Sequence, residues 1–179
     1  MVDRVVALLV AGTVALLFAS AAWHKLRDLA AFRAILAGYG LLPAAIVPAA
    51  GVAVPLLEVL LAAGLLADGS TRRAAAVAGA ALLIAYALAI GINLWRGRRA
   101  RSCGCGRDGG QPIAGWMLAR NCALALLSLL AAVPVQPRPL EWADAVTLPA
   151  GVAALALVYL CVEQLLATAT RSATTGHTQ

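Results

Sequence analysis

Residues 44–67 read AAIVPAAGVAVPLLEVLLAAGLLA. Apart from Glu58 nothing in this run ionises, and it exceeds the about 20 apolar residues with which an α-helix crosses a hydrocarbon layer of roughly 30 Å. It is therefore predicted to be a membrane-spanning helix carrying one acid near its middle. Working outward, comparable runs cover about 5–23, 74–95, 113–133 and 147–167. With 63% hydrophobic and 12% charged side chains, a chain of 179 residues has more apolar surface than a soluble domain could bury. The expected fold is all-α: a polytopic bundle of about five transmembrane helices in a single membrane domain, 1–167, followed by a disordered polar tail, 168–179, rich in Thr and Ser.

Between the first two spans, Leu29, Phe32, Leu36 and Tyr39 recur at helical spacing with Arg33 among them. This pattern predicts a short interfacial helix over 28–39, broken by Gly38, Gly40 and Pro43. Ala19-Ser20-Ala21 has the form of a signal-peptide cleavage site, but Lys25, Arg27 and Arg33 follow the apolar run rather than precede it, and that order favours an uncleaved first helix.

Five spans place the termini on opposite sides. Side A, with the N-terminus, receives Arg4, Arg72, Arg73 and Arg138 against Asp3, Asp68, Glu141 and Asp144. Side B receives the other ten basic residues against only Asp28 and Asp108. Lys and Arg accumulate on the cytoplasmic side, so side B is expected to be cytoplasmic in an inner-membrane, multi-pass protein with its N-terminus outside. Trp23, Trp95 and Trp116 all fall at side B, where aromatic anchors belong. The net charge of +6 is thus a topology signal and not a nucleic-acid footprint, since the arginines lie between apolar spans.

The longest polar stretch, 96–112, contains RSCGCGRDGG at 101–110. Cys103 and Cys105 can close a disulfide only in a small, strained ring, and the flanking glycines supply the backbone freedom for it. Such a bond is easily reduced and suits exchange rather than stapling. Arg96, Arg98, Arg99, Arg101 and Arg107 favour thiolates. Redox use is the first reading of the pair. A two-thiolate metal site and a basic loop with incidental cysteines are the alternatives; for zinc, even with Cys122 and His24, the spacing fits no standard pattern.

Several polar residues lie within or at the ends of spans. Glu58 must face the bundle interior, as a proton relay, a contact to a bound quinone or partner, or a protonated carboxyl bonded to another helix. His24, Lys25, Asn93, Arg120, Asn121 and Cys122 fall in the side-B half, and with Glu58 form the expected polar pocket beside the catalytic pair Cys103 and Cys105. Taken singly, His24 and Lys25 also read as interfacial anchors and Asn93 as a helix-packing contact. Arg120 either snorkels or pairs with Glu163 of the fifth span. Cys122 and Cys161 lie inside spans, where a lone thiol packs as a small hydrophobe. No thiol lies near side A, so electrons leaving the pair for that face would require a diffusible carrier such as quinone.

With these residues in place, the chain resembles the methylamine utilisation protein MauE family, within the wider DoxX-like group of small membrane proteins. The resemblance rests on His24-Lys25-Leu26 with Phe32 and the segment Tyr39 to Pro43, on Pro55-Leu56-Leu57-Glu58, and on Asn93-Leu94 with Arg96-Gly97-Arg98. Cys103-Gly104-Cys105-Gly106 and Arg120-Asn121 complete it, over roughly 5–130; Arg107 stands where an aromatic residue would be expected. It implies a membrane accessory protein that works with a thioredoxin-like partner in maturing the disulfide-rich small subunit of methylamine dehydrogenase. Two readings from other classes stand beside this one: a non-enzymatic scaffold or assembly subunit, and a small-solute or metal-ion transporter using Glu58.

Overall fold

The structure is a computed structural model that describes residues 3–97, 114–136, 139 and 141–175. The described chain forms α1 (Arg4–Arg27), α2 (Leu29–Tyr39), α3 (Val47–Leu66), α4 (Gly69–Trp95), α5 (Gly115–Leu130) and α6 (Trp142–Thr175). Of these, α1, α3, α4 and the Trp142–Leu166 part of α6 are long and apolar enough to cross a membrane.

Local chemistry sets the boundaries. Asp3 caps α1 by accepting a hydrogen bond from the Val5 amide. Asp28 does the same for α2 through the Ala31 amide, and Gly40 ends α2 in the left-handed conformation at φ 62°. The interfacial helix is thus where the sequence predicts it. The first helix, however, runs to Arg27 rather than stopping near Trp23. That extra turn carries Lys25 into the bundle.

Three other helices depart from their predicted bounds. The third span begins at Gly69, whose φ of 64° lets the chain turn directly into the helix, so Gly69 and Ser70 belong to α4 and not to a preceding turn. The fourth shortens to Gly115–Leu130, because the backbone turns at Ala131 and Ala132 ahead of Pro134. At about 24 Å by helical rise, α5 is shorter than the hydrocarbon layer. The last helix starts early, at Trp142, where the Asp144 carboxylate accepts from the Glu141 amide as in a capping box. It also continues to Thr175 where composition predicts a disordered tail from 168, and Thr168 turns its hydroxyl back onto the Gln164 carbonyl.

The helices pack through small residues. On α1 the buried stripe is Ala7, Ala11, Ala15, Phe18, Ala22 and Lys25. On α4 it includes Ala76, Gly79, Ala80, Leu83, Ala87, Ile90 and Asn93. With lipid as apolar as any side chain, helix association in a bilayer rests on such close packing and on interhelical hydrogen bonds. Gly79 shows both: a Cβ there would stand 3.0 Å from Phe18 of α1 and 3.1 Å from the Ser128 hydroxyl of α5. That hydroxyl donates to the Ala76 carbonyl at 2.8 Å.

Contacts fix the directions. Gly64 meets Ala75, and Gly91 meets Leu118 while Gly79 meets Ser128, so α4 is antiparallel to both α3 and α5. Gly12 against Val152 and Leu9 against Gly151 set α6 alongside α1, both starting at side A. The end of α1, all of α2, and the ends of α4 and α5 that flank 96–114 are therefore gathered at side B. The membrane-facing surface is apolar: Leu60, Leu66, Leu88, Leu126, Leu157 and Leu165 are exposed.

Candidate functional site

Three helices meet on one buried carboxylate. Glu58 of α3 is 0% exposed, and Lys25 of α1 is buried against it. The Lys25 ammonium donates to Glu58 Oε1. Tyr86 of α4 donates its phenolic O–H to the same oxygen at 2.7 Å, and Lys25 Nζ lies 3.3 Å from the Tyr86 hydroxyl. The ammonium also sits 5.3 Å from the Phe32 ring centroid of α2 and 4.9 Å from that of Tyr86. Each charge alone would be costly in hydrocarbon. Paired, hydrogen-bonded and faced by two aromatic rings, the ammonium is held by opposite charge and ring quadrupoles together.

Sequence explains why these groups meet. Pro55 stands one turn before Glu58, and a proline inside a helix removes the amide that would bond the Gly51 carbonyl. Gly51 admits the Arg33 side chain of α2, whose Cγ would lie 2.5 Å from a Cβ at that position. Thus α2 presses its Arg33 and Phe32 onto the α1–α3 junction, which encloses Lys25.

Closer to side B, Asn93 is 0% exposed and Asn121 is buried; each gives its amide to its own helix, at the Ala89 carbonyl (3.0 Å) and the Met117 carbonyl (2.9 Å). Tyr39, Ile90 and Met117 form a small buried cluster, with Ile35, Leu94 and Trp116 packed on it. On the flank of α5, Arg120 pairs with Glu163 of α6, and its guanidinium lies 5.6 Å from the Trp116 ring.

The expected pocket is therefore only partly assembled. Lys25, Glu58, Asn93 and Asn121 face the interior, and Arg120 takes the predicted ion pair with Glu163. Lys25 is no interfacial anchor. His24 and Cys122 do not join: both are exposed on the outer faces of their helices, as is Cys161. A residue next to Lys25 on an α-helix points about 100° away from it, so His24 cannot share its direction. Cys103 and Cys105 lie outside the described residues. Sequence reasoning missed Tyr86 and Arg33. The signal for Tyr86 was its place two turns before Asn93 on one face of α4.

The fold and this buried ammonium–carboxylate–phenol cluster define a small polytopic helical membrane protein with a polar core in its side-B half. The family model for methylamine utilisation protein MauE matches residues 3–134, so the chain belongs to the MauE family, which is linked to methylamine utilisation. It is 35% identical over 167 residues to methylamine utilization protein MauE of Methylophilus methylotrophus, covering 92% of this chain and 87% of that one. The Paracoccus denitrificans protein of the same name is 38% identical over 116 residues, covering 64% of this chain and 62% of the relative. That of Paracoccus versutus is 35% identical over 153 residues, covering 84% and 82%. No solved structure matches.

Proposed function

We propose that this MauE-family protein is an integral-membrane thiol redox accessory, in which Cys103 and Cys105 exchange a disulfide with a thioredoxin-like partner during maturation of another protein. One observation supports the reading above the others: the segment bearing the pair joins Trp95 of α4 to α5, at the bundle end from which Lys25 of α1 reaches the polar cluster it forms with Glu58 of α3 and Tyr86 of α4. A reactive dithiol is thereby tethered to a rigid scaffold, and its five arginines favour attack by a thiolate.

In the exchange, a partner thiolate attacks one sulfur of the Cys103–Cys105 disulfide. A mixed disulfide forms as the other cysteine of the pair leaves as a thiolate, and the partner's second thiolate then displaces the remaining cysteine. The partner is oxidised as Cys103 and Cys105 become the dithiol. Lys25, Glu58 and Tyr86 hold the helix ends in register and take no part in the sulfur chemistry. The proposed setting is the inner membrane with the pair on the cytoplasmic side.

Trapping tests the proposal. With Cys105→Ser, or with Cys103→Ser, one variant should accumulate a mixed disulfide with a thioredoxin-like protein that dithiothreitol releases. Thiols that stay free and inert under oxidant in the wild-type protein would exclude it, and full activity in the double serine variant would favour a scaffold.

A further inference from the structure

Two buried polar atoms flank the cysteine-bearing segment without a partner among the described residues. Asn93, close to the end of α4, is 0% exposed and its Oδ1 accepts no hydrogen bond. Trp116, in the first turn of α5, has a buried Nε1–H that donates none. A buried donor or acceptor left unmatched carries its full desolvation penalty. One is an acceptor and the other a donor.

Their surroundings are mostly apolar, with the Arg120 guanidinium over the Trp116 ring. Trp116 packs on the cluster of Tyr39, Ile90 and Met117, and Asn93 lies one turn beyond Ile90 on the same buried face of α4. About two turns deeper on that face, Tyr86 meets Glu58, whose buried Oε2 likewise has no partner among the described residues. The helix ends here belong to side B, with exposed Trp23 and Trp95 marking the interfacial depth.

We propose that Asn93 and Trp116, with the wall of Tyr39, Ile90 and Met117, bind the headgroup of a membrane quinone that takes electrons from the Cys103–Cys105 dithiol. The inference rests on the thiol reading above for its electron donor. A quinone carbonyl oxygen accepts from the Trp116 indole N–H, and a quinol hydroxyl donates to Asn93 Oδ1, so the donor and acceptor together match both redox forms. Ring and thioether surfaces suit a planar aromatic headgroup. The exchange balances: two S–H bonds break and one S–S bond forms, while two electrons and two protons pass to the two quinone oxygens. It also answers the distribution of thiols, because Cys122 and Cys161 are both in the side-B half and face outward, leaving no cysteine relay across the bundle.

The full chain in lipid nanodiscs is the material for the test. An azido-quinone photoprobe should label peptides from the end of α4 and the start of α5. Trp116→Phe, which keeps the ring beside Arg120, and Asn93→Leu should each lower that labelling at least tenfold, and Trp116→His, which restores a ring N–H, should recover part of it. With decylubiquinone and pre-reduced protein, one quinol should appear per disulfide formed. Trp116→Phe should raise the half-saturating quinone concentration at least tenfold while disulfide exchange with thioredoxin continues at the wild-type rate. Labelling spread over the lipid-facing helices and indifferent to both substitutions would overturn the site. Labelling is also read in the Cys103→Ser/Cys105→Ser variant: retained there without thiol exchange in the wild type, it keeps the quinone site and removes the thiol reading, whereas active exchange with no quinol formed removes the quinone.

Discussion

Lys25 and Glu58 close an ion pair between the last turn of α1 and the middle of α3, with both side chains almost wholly withdrawn from the surface. Removing one partner strands the other charge, and breaking a buried pair in this way costs about 3–5 kcal/mol. Lys25→Met should therefore lower the unfolding free energy in bicelles by that order. Lys25→Met/Glu58→Leu should recover most of the loss, because both desolvation penalties then vanish. A double variant no more stable than Lys25→Met would show that the pair does not bear on stability.

Tyr86 supplies the second hydrogen bond to the same oxygen. Tyr86→Phe keeps the ring that faces the Lys25 ammonium at 4.9 Å and deletes only the hydroxyl. The expected cost is about 1.5–3 kcal/mol, typical of a hydrogen bond to a charged group. In the Lys25→Met/Glu58→Leu background the same substitution should cost much less, since the carboxylate is gone, and a double-mutant cycle measures that difference.

How much of this was legible in the sequence follows from what hydropathy records. Apolar length gives the four long spans and helical spacing the short helix between the first two, whereas the run at 113–133 folds into the shorter α5; an acid in the middle of residues 44–67 has to turn inward whatever the neighbours are. Hydropathy does not say which helix supplies its counter-charge. Lys25 looks interfacial when the first helix is ended at the last apolar residue; only the extra turn to Arg27 makes it a core residue. Pairing between helices is a long-range property, which is why Tyr86 and the seating of Arg33 over Gly51 were missed. Arg120 and Glu163 were readable because each is an isolated charge at matching depth. Direction around a helix is equally hidden when nearly every residue is apolar, and so His24 and Cys122 were placed inward although they face out.

Packing at Gly79 is already tight for a methyl group and leaves less room for a branched side chain. A Cβ would meet Phe18 of α1 at 3.0 Å and Ser128 of α5 at 3.1 Å, and Ser128 is itself fixed by its bond to Ala76. Gly79→Val should destabilise the bundle by about 1–3 kcal/mol through overpacking. Phe18→Leu in the same chain should relieve part of this, read as a partial return of the thermal midpoint.

Arg120 and Glu163 tie α5 to α6 on a partly exposed flank, at 13% and 26% side-chain exposure. Each charge alone would confront lipid. Arg120→Gln should loosen α6 and increase its protease sensitivity in detergent, and the exchange Arg120→Glu/Glu163→Arg should restore protection. If α6 is cleaved equally in all three proteins, the pair does not hold it.

Sidedness is the remaining prediction, and charge decides it. Once Lys25 and Arg120 are set against their partners Glu58 and Glu163, side B still collects eight basic residues against Asp28 and Asp108, while side A is balanced at four and four. Moving so many short-loop arginines outward opposes the rule by which Lys and Arg stay cytoplasmic. A membrane-impermeant maleimide should therefore miss Cys103 and Cys105 in intact cells and modify them once the membrane is opened. Cys122 and Cys161 face away from the bundle core within apolar helices, where a charged reagent reacts slowly, and the Cys103→Ser/Cys105→Ser protein measures whatever background they contribute. Modification of the pair in intact cells would place the dithiol in the oxidising compartment instead. Exchange would then occur on the side to which exported proteins are delivered, and the quinone would draw its electrons from that face.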